Sequence, residues 1–318
     1  MFTVYKRFDH QLQIVESHEP VPRSWIRMVN PSQEEIVTVS QATGVPEDFL
    51  RAALDEEERS RIEIEDNCLL VLTNFPILRG PDIYDTLPLG IILTPDQVIT
   101  VSLEETDILP GNIIGPGAPA YYNTGKRTRF LFQILYKTAK IYLRYIHQIN
   151  RQTDEIERHL RKSMNNAEVF QLLDMEKGLT YFTVALRANG LVLERLLRLR
   201  KNSALQHLLP LYDEDEDILE DAIIENRQAL EMVQMYSDIL SGMMDAFTSV
   251  ISNNLNQVMK LLASITILIA IPTMISSFWG MNVGVPFRDS QPGFWSVLVL
   301  SAGLTGVTGF VLWKKRMF

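Results

Sequence analysis

The sequence predicts an α+β domain followed by long α-helices and a two-helix transmembrane hairpin, and three observations carry that prediction. Short strand-like runs alternate with Pro/Gly turns up to residue 123, no proline occurs between Gly125 and Pro210, and the C-terminal end holds two long uncharged runs. The 318 residues hold 39 acidic against 30 basic side chains, a formal charge of -9. A surface for nucleic acid needs clustered excess Lys and Arg, so nucleic acid is excluded as a main partner.

In chain order, "FTVYKRF", "QLQIVES" and "SWIRMVN" read as strands, and "SQEEIVTVSQATGV" and "PEDFLRAALDEEER" as helices, with Pro46 at a first helical turn. "RIEIEDNCLLVLTNF" and "LGIILTPDQVITVSL" supply longer strands, broken at Gly80, Pro81, Pro88 and Pro95. The lone Cys68 cannot form an intrachain disulfide and is expected to be buried. His10, His18, His147, His159 and His207 lack metal-ligand spacing, and no nucleophile–base pair or phosphate loop is recognisable, so an enzyme is not expected. "LPGNIIGPGAP" reads as a linker. The N-terminus lacks a secretory h-region, which predicts a cytoplasmic first domain over 1–123.

Residues 124–260 are expected to be long cytoplasmic helices, roughly 124–162 and 166–203, then a stalk that starts after Pro210 and meets no proline until Pro272. Such a stalk would run on the order of 90 Å at 1.5 Å per residue. Residues 261–279 and 293–313 are nineteen and twenty-one uncharged residues, each matching the ~20 needed to cross a ~30 Å hydrocarbon layer. Lys260 precedes the first span, and Lys314, Lys315 and Arg316 form the tail 314–318. The positive-inside rule then places both termini in the cytoplasm, in a cell (plasma or inner) membrane, with the loop 280–292 outside.

Steps of three and four along the stalk and first span reach Asp238, Gly242, Asp245, Ser249, Ser252, Asn256, Met259, Ala263, Thr266, Ala270, Thr273 and Ser277. All but Met259 are small or polar, in a seven-residue period that marks a seam between supercoiled helices. A packed seam in the aqueous stalk would carry Leu or Ile, whereas hydroxyls, amides and carboxylates suit a wet conduit for cations. Two spans cannot enclose a pore, so the reading requires a homo-oligomer with this helix innermost.

The first span ends on Gly280-Met281-Asn282. Neutral amide oxygens such as that of Asn282 can hydrogen-bond the hydration shell of a cation without trapping it as a carboxylate ring would. Gly280 is expected to turn the helix end, and Met281, whose thioether suits a hard cation poorly, to pack. Between Asp213 and Glu225 the stalk holds eight acids and no base. Repeated around a ring, they would repel one another until cations bind.

Gly280-Met281-Asn282 closing the first of two C-terminal spans, after a long stalk and an N-terminal α/β domain, resembles the CorA family of magnesium channels, and the resemblance covers the whole chain. It implies a funnel-shaped homopentamer in a lipid bilayer that takes divalent cations, magnesium and often cobalt or nickel, and is regulated by bound magnesium. Gly280, Met281 and Asn282 would form the selectivity filter. Asn256, Met259 and Leu262 would be constriction positions, Thr273 a polar ring beside Thr266 and Ser277, and Asp245 a cytoplasmic pore carboxylate. Lys260, with Lys314, Lys315 and Arg316, would be a basic collar. Asp221 matches a regulatory carboxylate whose partner on a neighbouring subunit is Asp82, with Asp85 second. Two departures stand out. The outer loop "VGVPFRDSQP" has one acid beside an arginine, and Ala270 stands where relatives can carry a bulky apolar residue, which moves the expected gate down to Met259 and Leu262. A zinc transporter of the same fold, in which Val tends to replace Met281, and a non-transporting membrane-anchored coiled-coil scaffold are the alternatives.

Overall fold

In the computed structural model, residues 2–8, 11–15, 21–109, 124–160, 166–199, 202–210, 212–284 and 291–317 are described. Most of the linker "LPGNIIGPGAP", the first half of the joint near 163–168 and the outer-loop pair Arg288 and Asp289 lie outside them. Contacts divide the chain into two units, Met1–Gly242 and Met243–Phe318.

The first unit is built on a seven-stranded sheet. Its strands are β1 (Phe2–Phe8), β2 (Gln11–Val15), β3 (Ser24–Val29), β4 (Arg61–Glu65), β5 (Cys68–Gly80), β6 (Ile83–Leu93) and β7 (Val98–Ser102), in the order β2-β1-β3-β7-β6-β5-β4. Every pairing is antiparallel except β3 with β7. One face is covered by α1 (Gln33–Thr43) and α2 (Glu47–Ala52), which bring Ile36, Val39, Phe49 and Leu50 onto Ile26, Leu70 and Ile99. Cys68 is buried on this side. The helix α1 starts on a capping box, in which Ser32 Oγ accepts from Glu35 N–H and Glu35 Oε2 accepts from Ser32 N–H, and ends on Gly44 at φ 71. Pro46 sits just outside α2, at its N-cap.

The opposite face is covered by α3 (Arg127–Leu160) and α4 (Asn166–Leu199), with the start of α5 (Asp213–Trp279). Phe130, Ile134, Leu193, Leu196 and Leu219 join Trp25, Val71 and Leu89 in one core, and Trp25 Nε1 donates to Thr100 Oγ1 at 2.9 Å. The helix α4 approaches β6 closely at Gly178, where a Cβ would fall 2.7 Å from the Tyr84 Cβ.

Two strand expectations need correction. "RIEIEDNCLLVLTNF" is a hairpin rather than one strand, because Asp66 (φ 46) and Asn67 (φ 63) are both left-handed, the geometry of a two-residue I′ turn. Pro88 is not a break either. It pairs opposite Asn74 inside β6 and has no N–H to give. The Asn74 carbonyl is bonded instead by Asn189 Nδ2 at 2.7 Å and Tyr142 OH at 3.0 Å, and the Asn74 N–H by Asn189 Oδ1 at 3.0 Å.

Helix α5 runs unbroken through 67 residues with Pro272 its only interior proline, a length of about 100 Å. It and α6 (Gln291–Lys314) are long and apolar enough to cross a membrane.

Candidate functional site: the first span, its Gly-Met-Asn end and the acidic stalk

In the second unit α6 packs on one side of the first span. Ser264 is fully buried, Ile275 nearly so, and Leu268 and Ile271 are half-buried, while a Cβ on Gly309 of α6 would meet Leu268 Cδ2 at 3.5 Å. At 100° per residue these four first-span positions share an arc of about 60°. Ala263, Thr266, Ala270, Thr273 and Ser277 centre about 150° away around the same helix. All five are exposed, as are Asp245, Ser249, Ser252, Asn256, Met259 and Leu262 before them. The seam therefore faces away from the chain's own second span, left uncovered along its whole length.

Three of the seam hydroxyls share one polarity. Thr266 Oγ donates to the Leu262 carbonyl and Thr273 Oγ to the Ile269 carbonyl, both at 2.8 Å, and Ser249 Oγ donates to the Asp245 carbonyl at 3.0 Å. Their hydrogens are committed to their own helix, as Ser and Thr in helices commonly do. What each presents outward is an oxygen acceptor. Met259 and Leu262, 56% and 58% exposed, are the bulky apolar side chains at this end of the span.

At the far end, Gly280 N–H closes the helix on the Ser276 carbonyl at 3.0 Å, and Met281 N–H reaches Phe278. Gly280 does not adopt positive φ, and a Cβ there would come no nearer than 3.4 Å to Ser276 O. The helix ends at Gly280 as expected, although backbone and space within one chain would both tolerate a side chain there. Asn282 is exposed, and no hydrogen bond among the described residues engages its side chain.

The acids of the first unit separate into engaged and available groups. Arg129 bonds both Glu214 and the fully buried Asp215, the latter at 2.6 Å. These bonds raise the Arg129 pKa and hold Glu214 below the ordinary carboxylate range. Glu225 approaches Lys140 at 3.9 Å. The run from Asp213 to Glu225 is thus not a uniform field of repelling charge. Asp217, Glu220 and Asp221 remain exposed, and Asp221 forms no ion pair among the described residues.

Asp82 and Asp85 lie at the β5–β6 turn in different surroundings. Asp85 is bridged to Arg79 at 2.9 Å and accepts from Thr86 N–H. Asp82, at φ 66, accepts at Oδ1 from Gln152 Nε2 at 2.5 Å, and Gln152 Oε1 in turn accepts from Tyr84 OH at 2.7 Å. Burial, then the charge of Asp82, then Tyr145 push the Tyr84 hydroxyl up to about 12. Gln152, Arg79 and Arg129, which tune these acids, escaped the sequence reading because each acts across a fold contact. Among the described residues no three His, Cys, Asp or Glu side chains of one chain converge on a metal-sized site. Lys260, Lys314, Lys315 and Arg316 are all exposed.

The family model described as "CorA-like Mg2+ transporter protein" matches residues 23–316. The chain is 27% identical over 279 residues to the cobalt/magnesium transport protein CorA of Methanocaldococcus jannaschii, covering 87% of this chain and 85% of that one. It is 23% identical over 303 residues to its namesake in Thermotoga maritima, covering 92% and 82%. The complete structure of the Methanocaldococcus jannaschii CorA magnesium transporter shares the fold at a TM-score of 0.78 and 24% identity, covering 98% of this chain and 96% of that one. Two apolar hairpin helices, a polar seam turned away from the hairpin partner and a match over nearly the full length agree: the chain belongs to the CorA family, a family of transporters and not of enzymes.

Proposed function

We propose that this chain is one subunit of a homopentameric channel for hydrated divalent cations, magnesium foremost and cobalt or nickel as well, in a cell membrane with both termini cytoplasmic. The observation that carries the reading is the seam from Asp245 to Ser277, acceptor-rich and exposed on the side of α5 opposite to α6. A ring of five copies with α5 innermost turns that face into a lined conduit, and one copy alone leaves it incomplete. Asn282 at its outer end meets the ion with neutral oxygens, which bond the hydration shell at modest affinity. Met259 and Leu262 form an apolar constriction that blocks conduction by dewetting.

Regulation in this reading rests on Asp82 and Asp221. Asp82 keeps one carboxylate oxygen outside its bond to Gln152, and Asp221 keeps both, whereas Asp85 is engaged by Arg79. Oxygen donors of this kind fit a hard divalent cation, so Asp82 of one copy and Asp221 of the next would hold it and favour the closed ring. Met281, where Val tends to stand in the zinc transporter of the same fold, leans the reading to magnesium. Uptake of Mg²⁺ into liposomes containing the purified protein tests the reading directly. Concentration-dependent uptake is expected, zinc uptake alone would turn the reading to the zinc transporter, and no divalent flux at all would turn it to the scaffold.

A further inference from the structure

At the end of the hairpin opposite to Asn282, a contact joins the first span to the basic tail after α6. Ser264 is fully buried, and its hydroxyl donates to the Met317 carbonyl at 3.3 Å, across 53 residues of chain. Beyond α6 the chain turns back on itself. Arg316 N–H bonds Trp313 O at 3.0 Å and Met317 N–H bonds Leu312 O at 3.1 Å, the paired closure of a Schellman motif. Its left-handed residue is Arg316, at φ 54, where glycine is the ordinary occupant. The tail is thus held against α5, with Lys314, Lys315 and Arg316 presented from a closed turn.

Lys260 lies one helical turn from Ser264 on nearly the same face, so residues three or four apart being neighbours puts it beside that turn. Lys260 on α5, Lys314 at the end of α6, and Lys315 and Arg316 just beyond it are all exposed, and none is ion-paired among the described residues. The second unit contains only two acids, Asp245 and Asp289. Asp245 is roughly 20 Å from Lys260 along the helix, and Asp289 falls between the two spans in sequence. Among the described residues of the second unit no acid pairs with these cations, which leaves them open to an anionic ligand. Beside the cations, Phe310 and Trp313 are 59% and 67% exposed with ring centroids 6.1 Å apart, which suits the headgroup boundary of a bilayer.

We propose that Lys260, Lys314, Lys315 and Arg316, joined by the Ser264–Met317 contact, form a binding site for the phosphate headgroup of an anionic phospholipid, whose acyl chain lies along Phe310 and Trp313. A free phosphate would satisfy the cations and leave the aromatic pair unused, so the lipid is the occupant that fits both halves. The site rests on the membrane placement of the hairpin and not on what the conduit carries.

Native mass spectrometry of the full-length protein in detergent, titrated with phosphatidylglycerol, phosphatidylcholine or inorganic phosphate, provides the test. Phosphatidylglycerol is expected to bind, phosphatidylcholine to bind far more weakly, and millimolar phosphate to leave the bound lipid in place. A Lys314→Gln/Lys315→Gln variant should weaken phosphatidylglycerol binding about thirtyfold, given the usual contribution of each basic residue at an anionic surface. Arg316→Gly should weaken it about fivefold, and its backbone suits the positive φ, so misfolding is no escape. Ser264→Ala keeps all four charges and should still weaken binding by loosening the tail from Lys260. Full binding by Ser264→Ala, or displacement of the lipid by phosphate, would overturn the site. Mg²⁺ uptake by the wild-type protein in phosphatidylcholine vesicles, measured in parallel, keeps the two readings apart: uptake without lipid binding sinks only the lipid site.

Discussion

Ala263 and Ser264 are neighbours in sequence and face opposite environments: Ser264 is fully buried against the second span and its tail, while Ala263 is exposed on the polar seam. The boundary between hairpin packing and the exposed polar seam thus falls between two consecutive small residues. It defines which substitutions should affect transport and which should affect assembly of the hairpin.

Asn282→Ala should abolish Mg²⁺ uptake while the oligomer still forms. Each amide contact to the hydration shell contributes about 1 kcal/mol, and a ring of them amounts to well over a tenfold loss in affinity. Uptake into liposomes, with oligomer size checked by light scattering, decides it. Normal uptake by a correctly assembled variant would remove Asn282 from the filter.

Met259→Gly should raise flux severalfold under high internal Mg²⁺, where the proposed ring would be closed, because it deletes one of the two bulky apolar side chains of the proposed constriction. Unchanged flux in the closed condition would move the gate to another level of the seam.

Asp221→Lys should make the stalk resistant to protease after Mg²⁺ is chelated, whereas the wild-type stalk becomes sensitive. A fixed ammonium replaces the bridging ion beside the exposed Asp217 and Glu220, so subunits stay together without metal. Equal digestion of the two proteins under chelation would reduce these acids to a solvated surface.

Asn189→Ala should destabilise the first unit by about 3 kcal/mol, since it strips partners from several buried groups at once. Its carbonyl oxygen accepts from Ser60, Thr73 and the Asn74 N–H, and its amide donates to the Asn74 carbonyl. Asn189→Asp keeps the acceptors and loses the donor, so it should not restore stability. Thermal unfolding of both variants measures this, and a loss near zero for either would contradict the network.

Tyr84 predicts an alkaline weakening. Its hydroxyl ionises near 12 in the folded chain against 10.0 ordinarily. Between those values the unfolded chain has released a proton that the folded chain still holds, so the contribution is complete below pH 10 and is lost as pH climbs through 12. The loss is on the order of 2 kcal/mol. Melting temperatures at about pH 9 and about pH 11.5 should fall more for wild type than for Tyr84→Phe, and parallel declines would refute the assignment.

Hydrophobic period made the strands, the long helices, both spans and the seam legible, because each depends on residues within a few turns of one another. What stayed hidden depends on partners far along the chain. Arg129 neutralises Asp215 from 86 residues away, and Asn189 repairs the Pro88 defect from 115 residues beyond Asn74. The Asp66-Asn67 turn was missed for a local reason. Neither residue is glycine, so an apolar run on either side hid a reversal that two left-handed residues accomplish.

The bonding of Thr266 and Thr273 to their own backbone has a consequence for the sign of the permeating ion. A hydrated cation points its water hydrogens outward and finds acceptors on the wall. At Thr266 and Thr273 a hydrated anion, whose water oxygens point outward, would meet lone pairs, because those two hydroxyl hydrogens are already committed to Leu262 and Ile269. In the proposed conduit these two levels would disfavour an anion without an ionised side chain, a contribution that pH would not alter.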